Sequence, residues 1–414
     1  MMSGGQGGTI PNFPISISAE GIFAPQTESL LIEPKQGNMF IGIPKETTLQ
    51  ENRVALVPSS VALLTSRGHR VMLESGAGLA ASFSDHLYSE AGAEIVYDHK
   101  TALQANIVLK VAPPTLEELE CFHHHQTLIS PLQSPTISSH YIEKLYEKGT
   151  TALAMEFIKD DKGSFPVVRV MSEIAGLSAV LSAAELLSKD NGGIGVLLGG
   201  IAGVPPAKIV ILGAGVVGEF AARTALGLGA EIRIFDNNIY KLMRLQNQIG
   251  RQLYTSAIDP AVLTKELETA DAVVGAIHSS NGRAPMIVTE EMVSRMKPNA
   301  VIIDVSIDQG GCFETSMLTT HDQPTFRRHE VIHYCVPNIP SRVPRTASMA
   351  ISNILTPMLL RAEASSGSFE QLLQQSLGLR NGVYTYKGRL TNNYLAERFN
   401  MRFTPIELLI AGMG

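Results

Sequence analysis

The sequence predicts an α/β protein built from two Rossmann-like domains with a cleft between them, and three observations support this prediction. The chain of 414 residues holds 36 glycines and no tryptophan, a balance typical of α/β enzymes with many tight turns. Stretches with strand character and stretches with helix character alternate along it, which favours β-α-β units and parallel sheets. A glycine-rich turn at 213–218 directly follows one apolar run and opens a helix.

Composition narrows the class of protein further. Hydrophobic residues make up 44% and charged residues 17%, enough for a large core, and the length suggests two or three domains. A net charge of −6 without basic blocks argues against a nucleic-acid partner. No apolar run approaches the roughly 18–20 residues of a membrane span, so we expect no membrane partner. The three cysteines are widely spaced, which argues against disulfides and a metal site and favours the cytoplasm.

The first 37 residues differ from the rest of the chain. They are rich in glycine and proline and lack the basic segment and continuous apolar stretch of a secretory signal. We interpret 1–37 as an N-terminal extension that is flexible or lies on the surface. The alternative is an arm that helps to build an oligomer, because Phe13, Ile15 and Ile17 offer apolar surface to bury.

The first β-α series begins with a short apolar run that ends at Pro44. Strands are predicted at 39–43, 70–74, 94–97, 106–111 and 127–129, and helices at 58–67 and 85–91. Such alternation predicts a parallel sheet whose ligand-binding loops follow the carboxyl ends of its strands.

A second series begins after a long Ala-rich helix at 173–187 and a loop rich in glycine and proline at 191–206. Strands are predicted at 209–212, 231–235, 272–276, 300–305 and 331–336, and a helix at 217–228. An apolar helix at 349–361 and a small helix at 406–410 complete the chain. No internal repeat is visible.

The turn at 213–218 reads G-x-G-x-x-G and predicts a dinucleotide site. Gly213 permits the tight turn, Gly215 lets a pyrophosphate approach the backbone, and Gly218 lets helix and strand pack closely. The free N–H groups of the following helix favour phosphate. Asp236 ends the next strand, where a carboxylate accepts both ribose hydroxyls and repels a 2′-phosphate, so NAD is favoured over NADP.

Several further motifs are more specific than this turn. They read IPKE (43–46), ENRVALVP (51–58), ESGAG (74–78), AGA (91–93), MSEIAG (171–176), GGIAGV (199–204), IDQGGC (307–312) and HYCVPNIP (333–340). Together they resemble the alanine dehydrogenase and nicotinamide-nucleotide transhydrogenase family over about 39–361. The last two motifs look like the alanine dehydrogenase branch.

The resemblance implies an architecture and a reaction. A discontinuous substrate domain, 38–167 and 346–414, closes over an inserted NAD-binding domain, 168–345. The reaction is the reversible, NAD-dependent oxidative deamination of L-alanine to pyruvate and ammonia, with hydride passing from the substrate Cα to nicotinamide C4. The family also implies a homo-oligomer, a dimer or a hexamer.

Four residues are predicted to handle the substrate. The planar fork of Arg53 suits a carboxylate, and the family places its substrate arginine there. Lys110 ends a predicted strand, is expected to point into the cleft, and aligns with the family's substrate lysine. The resemblance assigns a catalytic role to Asp308, which also lies near the nicotinamide ribose, and places Asn338 against the nicotinamide amide or the substrate.

One position departs from the family. Alanine dehydrogenases carry a histidine in the loop after the strand at 127–129, whereas this chain has Gln133. Glutamine can hydrogen-bond a keto oxygen but cannot exchange a proton near neutral pH. Losing a general acid–base group costs on the order of 10²–10⁴ in rate. Either another group does this work, with Asp308, Lys110 and a water as the candidates, or the substrate differs. The histidine run at 123–125 and His278 are weaker substitutes.

The remaining cofactor contacts follow from the resemblance. Ser172 is expected to reach the phosphates, and the backbone N–H groups of Val216 and Val217 to donate to them. Lys241 is expected to cover the adenosine, and Ile277 and His278 to flank the adenine or its ribose.

Two other functions stay open on the sequence alone. The transhydrogenase branch also has a glutamine in a similar loop. At Gln133 the chain therefore resembles the nucleotide-binding alpha subunit of a proton-translocating transhydrogenase. A dehydrogenase of the saccharopine type shares the two-domain plan, but the local motifs match it less well, and its larger substrate needs a different site.

Overall fold

The computed structural model describes residues 39–48, 50–133, 137–279, 282–364 and 369–411, except the side chains of 362–364. The predicted N-terminal extension, 1–37, lies outside these ranges. The described chain forms two sheets dominated by parallel strands, with helices packed on them. The predicted α/β class with two Rossmann-like regions is therefore confirmed.

The first region alternates strands and helices from Phe40 onward. Its elements are β1 (Phe40–Ile43), α1 (Pro58–Ser66), β2 (Arg70–Glu74), α2 (Asp85–Glu90), β3 (Glu94–Val96), α3 (His99–Ala102), β4 (Ile107–Leu109), α4 (Leu116–Glu120), β5 (Thr127–Ser130), α5 (Ser139–Glu147) and β6 (Thr151–Ala154). A long helix, α6 (Pro166–Leu186), leads out of it.

The second region repeats the alternation. Its elements are β7 (Lys208–Leu212), α7 (Val216–Gly227), β8 (Glu231–Phe235), α8 (Ile239–Ile249), β9 (Thr255–Ser256), α9 (Pro260–Glu268), β10 (Ala272–Gly275), α10 (Glu290–Ser294), β11 (Val301–Asp304), β12 (Thr325–Arg328) and β13 (Val331–Tyr334). A second long helix, α11 (Pro344–Ala364), follows.

The chain then returns to the first sheet. The final elements are α12 (Phe369–Gln375), α13 (Leu377–Arg380), β14 (Val383–Tyr386), β15 (Arg389–Leu390), α14 (Asn393–Phe399) and α15 (Ile406–Ala411). Strand β14 pairs antiparallel with β6 and with β15. This return is consistent with a discontinuous substrate domain, although the boundaries near 168 and 345 stay a prediction.

Each sheet reverses its strand order next to its first strand. The first sheet runs β15-β14-β6-β5-β4-β1-β2-β3, and the second runs β12-β13-β11-β10-β7-β8-β9. Consecutive crossovers leave such a switch point in opposite directions, and the crevice there is where α/β sheets bind ligands. The switch between β1 and β4 therefore marks the first sheet, and that between β7 and β10 marks the second.

Helix α6 is the one described helix that is long and apolar enough, by length and composition, to cross a membrane. The predicted helix began only at residue 173, whereas the helix begins at Pro166. The full apolar length of α6 was therefore not recognised from the sequence. Half of the apolar window is buried inside the protein. At Gly176 the helix packs so closely on α7 that a Cβ there would collide with the Val217 carbonyl. A core helix of a soluble protein has these properties, so the finding is weak support for a membrane span.

The sequence analysis also passed over α5, β6 and β14. Strand β6 has the sequence Thr-Ala-Leu-Ala, and alanine has low strand propensity. It is nevertheless fully buried, because parallel pairing with β5 and antiparallel pairing with β14 place it inside the sheet. Its position in the sheet, rather than its local propensity, accounts for this strand.

Candidate active site

The segment between β1 and α1 has little regular structure, yet distant serines hold its backbone. Ser341 Oγ accepts from Asn52 N at 2.9 Å, Ser348 Oγ accepts from Val54 N at 2.9 Å, and Ser352 Oγ accepts from Val57 N at 3.1 Å. These serines lie after β13 and on α11. They satisfy N–H groups that lack partners within the loop, and so fix the backbone on both sides of Arg53.

The Arg53 guanidinium is buried, with 7% of the residue exposed, and one of its edges is already occupied. Nε donates to Glu51 Oε1 at 2.7 Å, and Nη2 donates to Glu51 Oε2 at 2.5 Å. Nη1 contacts the Met171 sulfur at 3.2 Å. Burial alone would raise the pKa of Glu51, but the adjoining guanidinium lowers it, so Glu51 stays ionised. Glu51 thus occupies the Nε–Nη2 edge and orients Arg53, and a carboxylate can reach the Nη1–Nη2 edge only by replacing the contacts that Nη1 and Nη2 already make there.

Asn338 joins the two regions of the molecule at this point. Its Oδ1 accepts from Arg53 Nη2 at 2.7 Å, and its Nδ2 donates to Glu51 Oε2 at 2.8 Å. Its backbone N donates to Asp308 Oδ1 at 3.1 Å. The residue has φ 57° and ψ 43°, a left-handed conformation that asparagine tolerates better than most residues. The structure therefore brings three predicted site residues, Arg53, Asp308 and Asn338, into one contact group.

Asp308 lies in a short 3₁₀ turn, Val305–Gln309, directly after β11. Asp304 fixes this turn, since its carboxylate accepts from Ser306 N and Cys312 N, both at 3.0 Å. Desolvation raises the pKa of Asp308, while the bond from Asn338 and the charge of Arg53 oppose the rise. The residue is nevertheless exposed to the open cleft. Because water reaches the exposed carboxylate, the full rise is expected only when ligands displace that water.

Lys110 lies deeper than the sequence suggested. It follows β4 as predicted, but its side chain is completely buried, so the expectation that its ammonium points freely into the cleft is wrong. Nζ lies 2.9 Å from Glu46 Oε2 and 2.9 Å from Glu118 Oε1. Burial alone would lower the pKa of Lys110, but these two carboxylates raise it. Lys110 is a neutralised cation behind the pocket wall, because α4 and the loop after β1 each supply a carboxylate.

Gln133 ends the described part of the loop after β5, at a φ of 48°. Its backbone N donates to Glu156 Oε1 at 3.0 Å, and Leu132 N donates to the same oxygen at 2.9 Å. Desolvation raises the pKa of Glu156 despite these N–H donors. A carboxylate that follows β6 therefore shapes the loop at the position where the family carries a histidine.

The glycine-rich turn has the geometry that a pyrophosphate needs. Gly213 has a φ of 108°, and a Cβ there would collide with the Ala276 carbonyl of the neighbouring loop. A Cβ on Gly218 would collide with the Gly213 carbonyl, so the first turn of α7 must approach the strand end closely. A Cβ on Gly215 would meet nothing within 4 Å. The space beside Gly215 and the N–H groups of Val216 and Val217 is thus available for phosphate.

Asp236 and Ser172 flank this turn. Asp236 is buried at the end of β8, where Oδ2 accepts from Ala214 N at 2.8 Å and Oδ1 accepts from Asn238 N at 2.7 Å. Each oxygen keeps a second lone pair for a ribose hydroxyl, so the carboxylate both holds the turn and fits the predicted ribose contact. Ser172 lies one helical turn before Gly176, on the face of α6 that packs against α7.

The predicted adenosine contacts lie beyond the carboxyl ends of strands in the second sheet. Ile277 follows β10, and its N donates to Ser306 Oγ at 2.9 Å. His278 is exposed beside it; desolvation by the cleft wall, and then the charge of Lys241, lower its pKa. Lys241 lies in the first turn of α8. A neutral His278 is thus favoured, and its place beside the predicted adenosine site is more consistent with cofactor contact than with catalysis.

Four carboxylates of the substrate region were not singled out from the sequence: Glu46, Glu51, Glu118 and Glu156. Two of them were in view, since Glu46 and Glu51 belong to the motifs at 43–46 and 51–58. A signal also existed for Glu118, because Thr115-x-x-Glu118 is a capping box and is observed as one. Nothing local marks Glu156. Within the described ranges, no group of three or more His, Cys, Asp or Glu side chains is arranged to hold a metal ion.

Comparisons with known proteins agree with this geometry. The family model described as Alanine dehydrogenase/PNT, N-terminal domain, matches residues 42–175, and its C-terminal counterpart matches 179–393. The alanine dehydrogenase of Bacillus subtilis (strain 168) is 41% identical over 370 residues, which cover 89% of this chain and 97% of the relative. That of Mycolicibacterium smegmatis is 40% identical over 375 residues, covering 90% and 100%.

Solved structures give the same result. An L-alanine dehydrogenase superposes with a TM-score of 0.82 at 38% identity, over 87% of this chain and 99% of the other. A transhydrogenase from Sinorhizobium meliloti superposes with a TM-score of 0.72 at 25% identity, over 86% and 99%. The resemblance noted from the motifs is confirmed, and the chain belongs to the alanine dehydrogenase/PNT family.

Proposed function

We propose that this chain catalyses the reversible, NAD-dependent oxidative deamination of L-alanine to pyruvate and ammonia. The observation that carries the proposal is the contact group of Arg53, Asn338 and Asp308, which joins the switch point of the first sheet to that of the second. In this proposal the group supplies a carboxylate-binding cation and a proton-accepting carboxylate, joined through Asn338. The alanine dehydrogenases that the chain resembles are named for this reaction.

Arg53 binds the substrate carboxylate in this proposal. Its Nη1–Nη2 edge offers parallel N–H donors once the carboxylate displaces Asn338 Oδ1 from Nη2, and such bidentate pairs are stronger and more directional than single bonds. Met171 packs against the same edge, so an apolar side chain lies beside the proposed carboxylate site. A methyl group fits beside such a side chain better than a charged chain does, which favours alanine over a substrate of the saccharopine type.

Asp308 exchanges the proton. Deamination requires removal of a proton from the amine and from the water that hydrolyses the imine. When ligands displace water from the cleft, desolvation raises the pKa of Asp308 and makes the carboxylate a better base. Lys110 is enclosed by two carboxylates, so we assign it an electrostatic role behind the pocket and leave the proton to Asp308.

The cofactor is NAD. The space beside Gly215, the start of α7 and the Asp236 carboxylate fit its pyrophosphate and its adenosine ribose. When bound, NAD accepts the hydride from the substrate Cα. The predicted contacts of Ser172, Val216, Val217, Lys241, Ile277 and His278 remain part of this proposal.

Gln133 takes the histidine's place as a hydrogen-bond donor to the keto oxygen. The Glu156 bond to its backbone N sets the loop that carries it. Because an amide cannot exchange protons at neutral pH, we expect this chain to turn over alanine more slowly than a Gln133→His variant of itself.

Steady-state kinetics test the proposal. NADH formation from L-alanine and NAD is measured first, and then NADH consumption with ammonia and a panel of 2-oxo acids. We expect pyruvate to have the highest kcat/KM in the panel. Binding of NADH without turnover of alanine or of pyruvate plus ammonia would overturn it, and preference for a long, charged 2-oxo acid would favour the saccharopine-type alternative.

Gln133 also favours a second function, the nucleotide-binding alpha subunit of a transhydrogenase. Hydride exchange between NADH and an oxidised NADP analogue, measured with candidate membrane subunits present, distinguishes the two. Exchange without alanine turnover would replace the first proposal with this one.

We further propose that the chain acts in the cytoplasm as a homo-oligomer, a dimer or a hexamer, with domain boundaries near 168 and 345. Light scattering coupled to size exclusion gives the oligomer size, and a monomer at micromolar concentration would contradict this part.

A further inference from the structure

A cluster of charged side chains lies behind the substrate pocket, at the carboxyl ends of β1, β2 and β4. Its members are Glu46, Glu74, His99, Lys110 and Glu118. Lys110 is fully buried, and the side chains of Glu46 and Glu118 are 5% and 6% exposed. His99, whose side chain is 28% exposed, is the most exposed member of the cluster.

His99 is held at both ring nitrogens. Nδ1 lies 2.6 Å from Glu74 Oε2, and Nε2 lies 3.0 Å from Glu118 Oε1. Ionised carboxylates only accept hydrogen bonds, and a neutral imidazole has a single N–H to give. Both contacts are therefore satisfied together when the ring is an imidazolium. A neutral ring can donate to only one of them.

The two carboxylates also bond to the segments that follow β1 and β4. Glu74 Oε2 also accepts from Lys45 N at 2.6 Å, and so holds the residue before Glu46. Glu118 Oε1 also accepts from Lys110 Nζ at 2.9 Å. Glu118 Oε2 accepts from Thr115 N at 2.6 Å, which fixes the carboxylate at the start of α4. His99 thus connects two segments, one after β1 and one after β4.

These segments reach the substrate arginine. Glu46 pairs with Lys110, accepts from Val111 N at 2.5 Å, and is close enough to Glu51 to feel its charge. Glu51 in turn orients Arg53. Without the charge on His99, Lys110 is left to balance Glu46, Glu74 and Glu118 alone. The repulsion then acts on the wall that carries Glu51.

We propose that His99 is a positioning residue for alanine deamination: its imidazolium, bonded to Glu74 and Glu118, keeps Lys110 and Glu46 in the arrangement that supports Arg53. This inference rests on the proposed function. The groups that face His99 are Glu74 from β2 and Glu118 from α4, then Lys110 and Glu46 beyond them, with Asp98 and Lys100 on its own segment.

Two substitutions test the role of this charge. His99→Gln removes it, and we expect the KM for alanine to rise about tenfold with a smaller change in kcat, as is common for residues that orient a ligand-binding group. His99→Arg keeps a cation with several N–H donors at every pH, so its KM is expected to stay near the wild-type value. A raised KM in His99→Gln that returns to the wild-type value in His99→Arg, with kcat little changed in both, is the expected pattern.

A matched control is His86→Gln. His86 also contacts a glutamate, Glu90 at 3.5 Å, but both side chains are exposed on α2. This variant is expected to keep the wild-type KM. NADH affinity and melting temperature are measured for every variant, since a general loss of structure would change them all.

The outcomes separate this inference from the proposed function. Wild-type protein that does not turn over alanine overturns the function itself. Active wild-type protein with an unchanged KM in His99→Gln overturns the inference alone. If His99→Arg does not fold, the split between KM and kcat in His99→Gln decides: an unchanged KM, or a fall in kcat alone, rules His99 out.

Discussion

The loop after β7 and the loop after β1 occupy equivalent places, each at the switch point of its sheet, but they are held in different ways. The loop at 213–218 is shaped by its own backbone, through Gly213 and Gly218. The loop around Arg53 is held by Ser341, Ser348 and Glu51 side chains, two of which lie nearly 300 residues away. The cofactor side is thus a local structure, whereas the substrate side forms only when distant segments have docked.

The largest expected effect is on the stability of the substrate side, which is held together by side chains. Lys110→Met leaves Glu46 and Glu118 buried without their cation, which typically costs about 3–5 kcal/mol. Urea denaturation is expected to show a loss of this size in the free energy of unfolding. Lys144→Met is the control, because Lys144 also lies between two glutamates, Glu120 at 2.7 Å and Glu147 at 2.9 Å, but on the surface. Exposed pairs contribute about 0–1 kcal/mol, so equal losses would contradict the comparison.

The next effect concerns ligand binding on the same side. Arg53→Lys keeps the charge but loses the planar fork, and with it one hydrogen bond between charged groups, worth about 1.5–3 kcal/mol. We expect the KM for alanine to rise about 10- to 150-fold, by the usual conversion of free energy to affinity. NADH affinity, measured by fluorescence, is expected to stay unchanged. A parallel loss of NADH affinity would show that the two loops are not independent.

Two glycine substitutions sharpen the comparison on the cofactor side. Gly218→Ala forces a Cβ against the Gly213 carbonyl, and overpacking of this kind costs about 1–3 kcal/mol of stability. Gly215→Ala places its Cβ in open space, so the melting temperature is expected to hold while NADH affinity falls. Calorimetry and NADH titration measure both. Unchanged NADH affinity in Gly215→Ala would remove the pyrophosphate from this turn.

The smallest effect is a pH dependence of stability. Because the pKa of Glu156 is raised in the folded state, its contribution is complete below the unfolded pKa and is lost as pH rises through the folded pKa. Glu156→Gln keeps an acceptor for Leu132 N and Gln133 N but does not titrate. The variant is expected to gain stability relative to the wild type as pH rises from the acidic range. A constant difference across pH would contradict the raised pKa.

The sequence was most informative where structure is local. The turn at 213–218, the strand before it and Asp236 could be predicted because they follow one another closely in the sequence. Gly213 and Gly218 are required there by nearby backbone carbonyls, and Gly215 leaves open space. Arg53, Asp308 and Asn338 came from the motifs that carry the family resemblance, and the structure adds that they touch. Their roles remain predictions that the kinetic tests address.

The errors have a common physical origin. Lys110 was expected to face the cleft because the strand pattern was visible, whereas Glu46 and Glu118, which enclose its ammonium, come from other segments. Strand β6 was missed because tertiary pairing outweighed the weak propensity of its alanines. Periodicity and propensity describe neighbours along the chain, and these features depend on neighbours in space.

The bonds of Asn338 have a consequence for the timing of turnover. Asn338 bonds to Arg53 and Glu51 on one side and to Asp308 on the other. Any separation of the two sheets that releases products would therefore break these contacts together. If that step is slower than hydride transfer, alanine deuterated at Cα shows little isotope effect on kcat but a clear one in a single turnover. Asn338→Ala would then loosen the clamp and unmask the isotope effect at steady state, so that the bond between the two halves of the molecule becomes measurable as a rate.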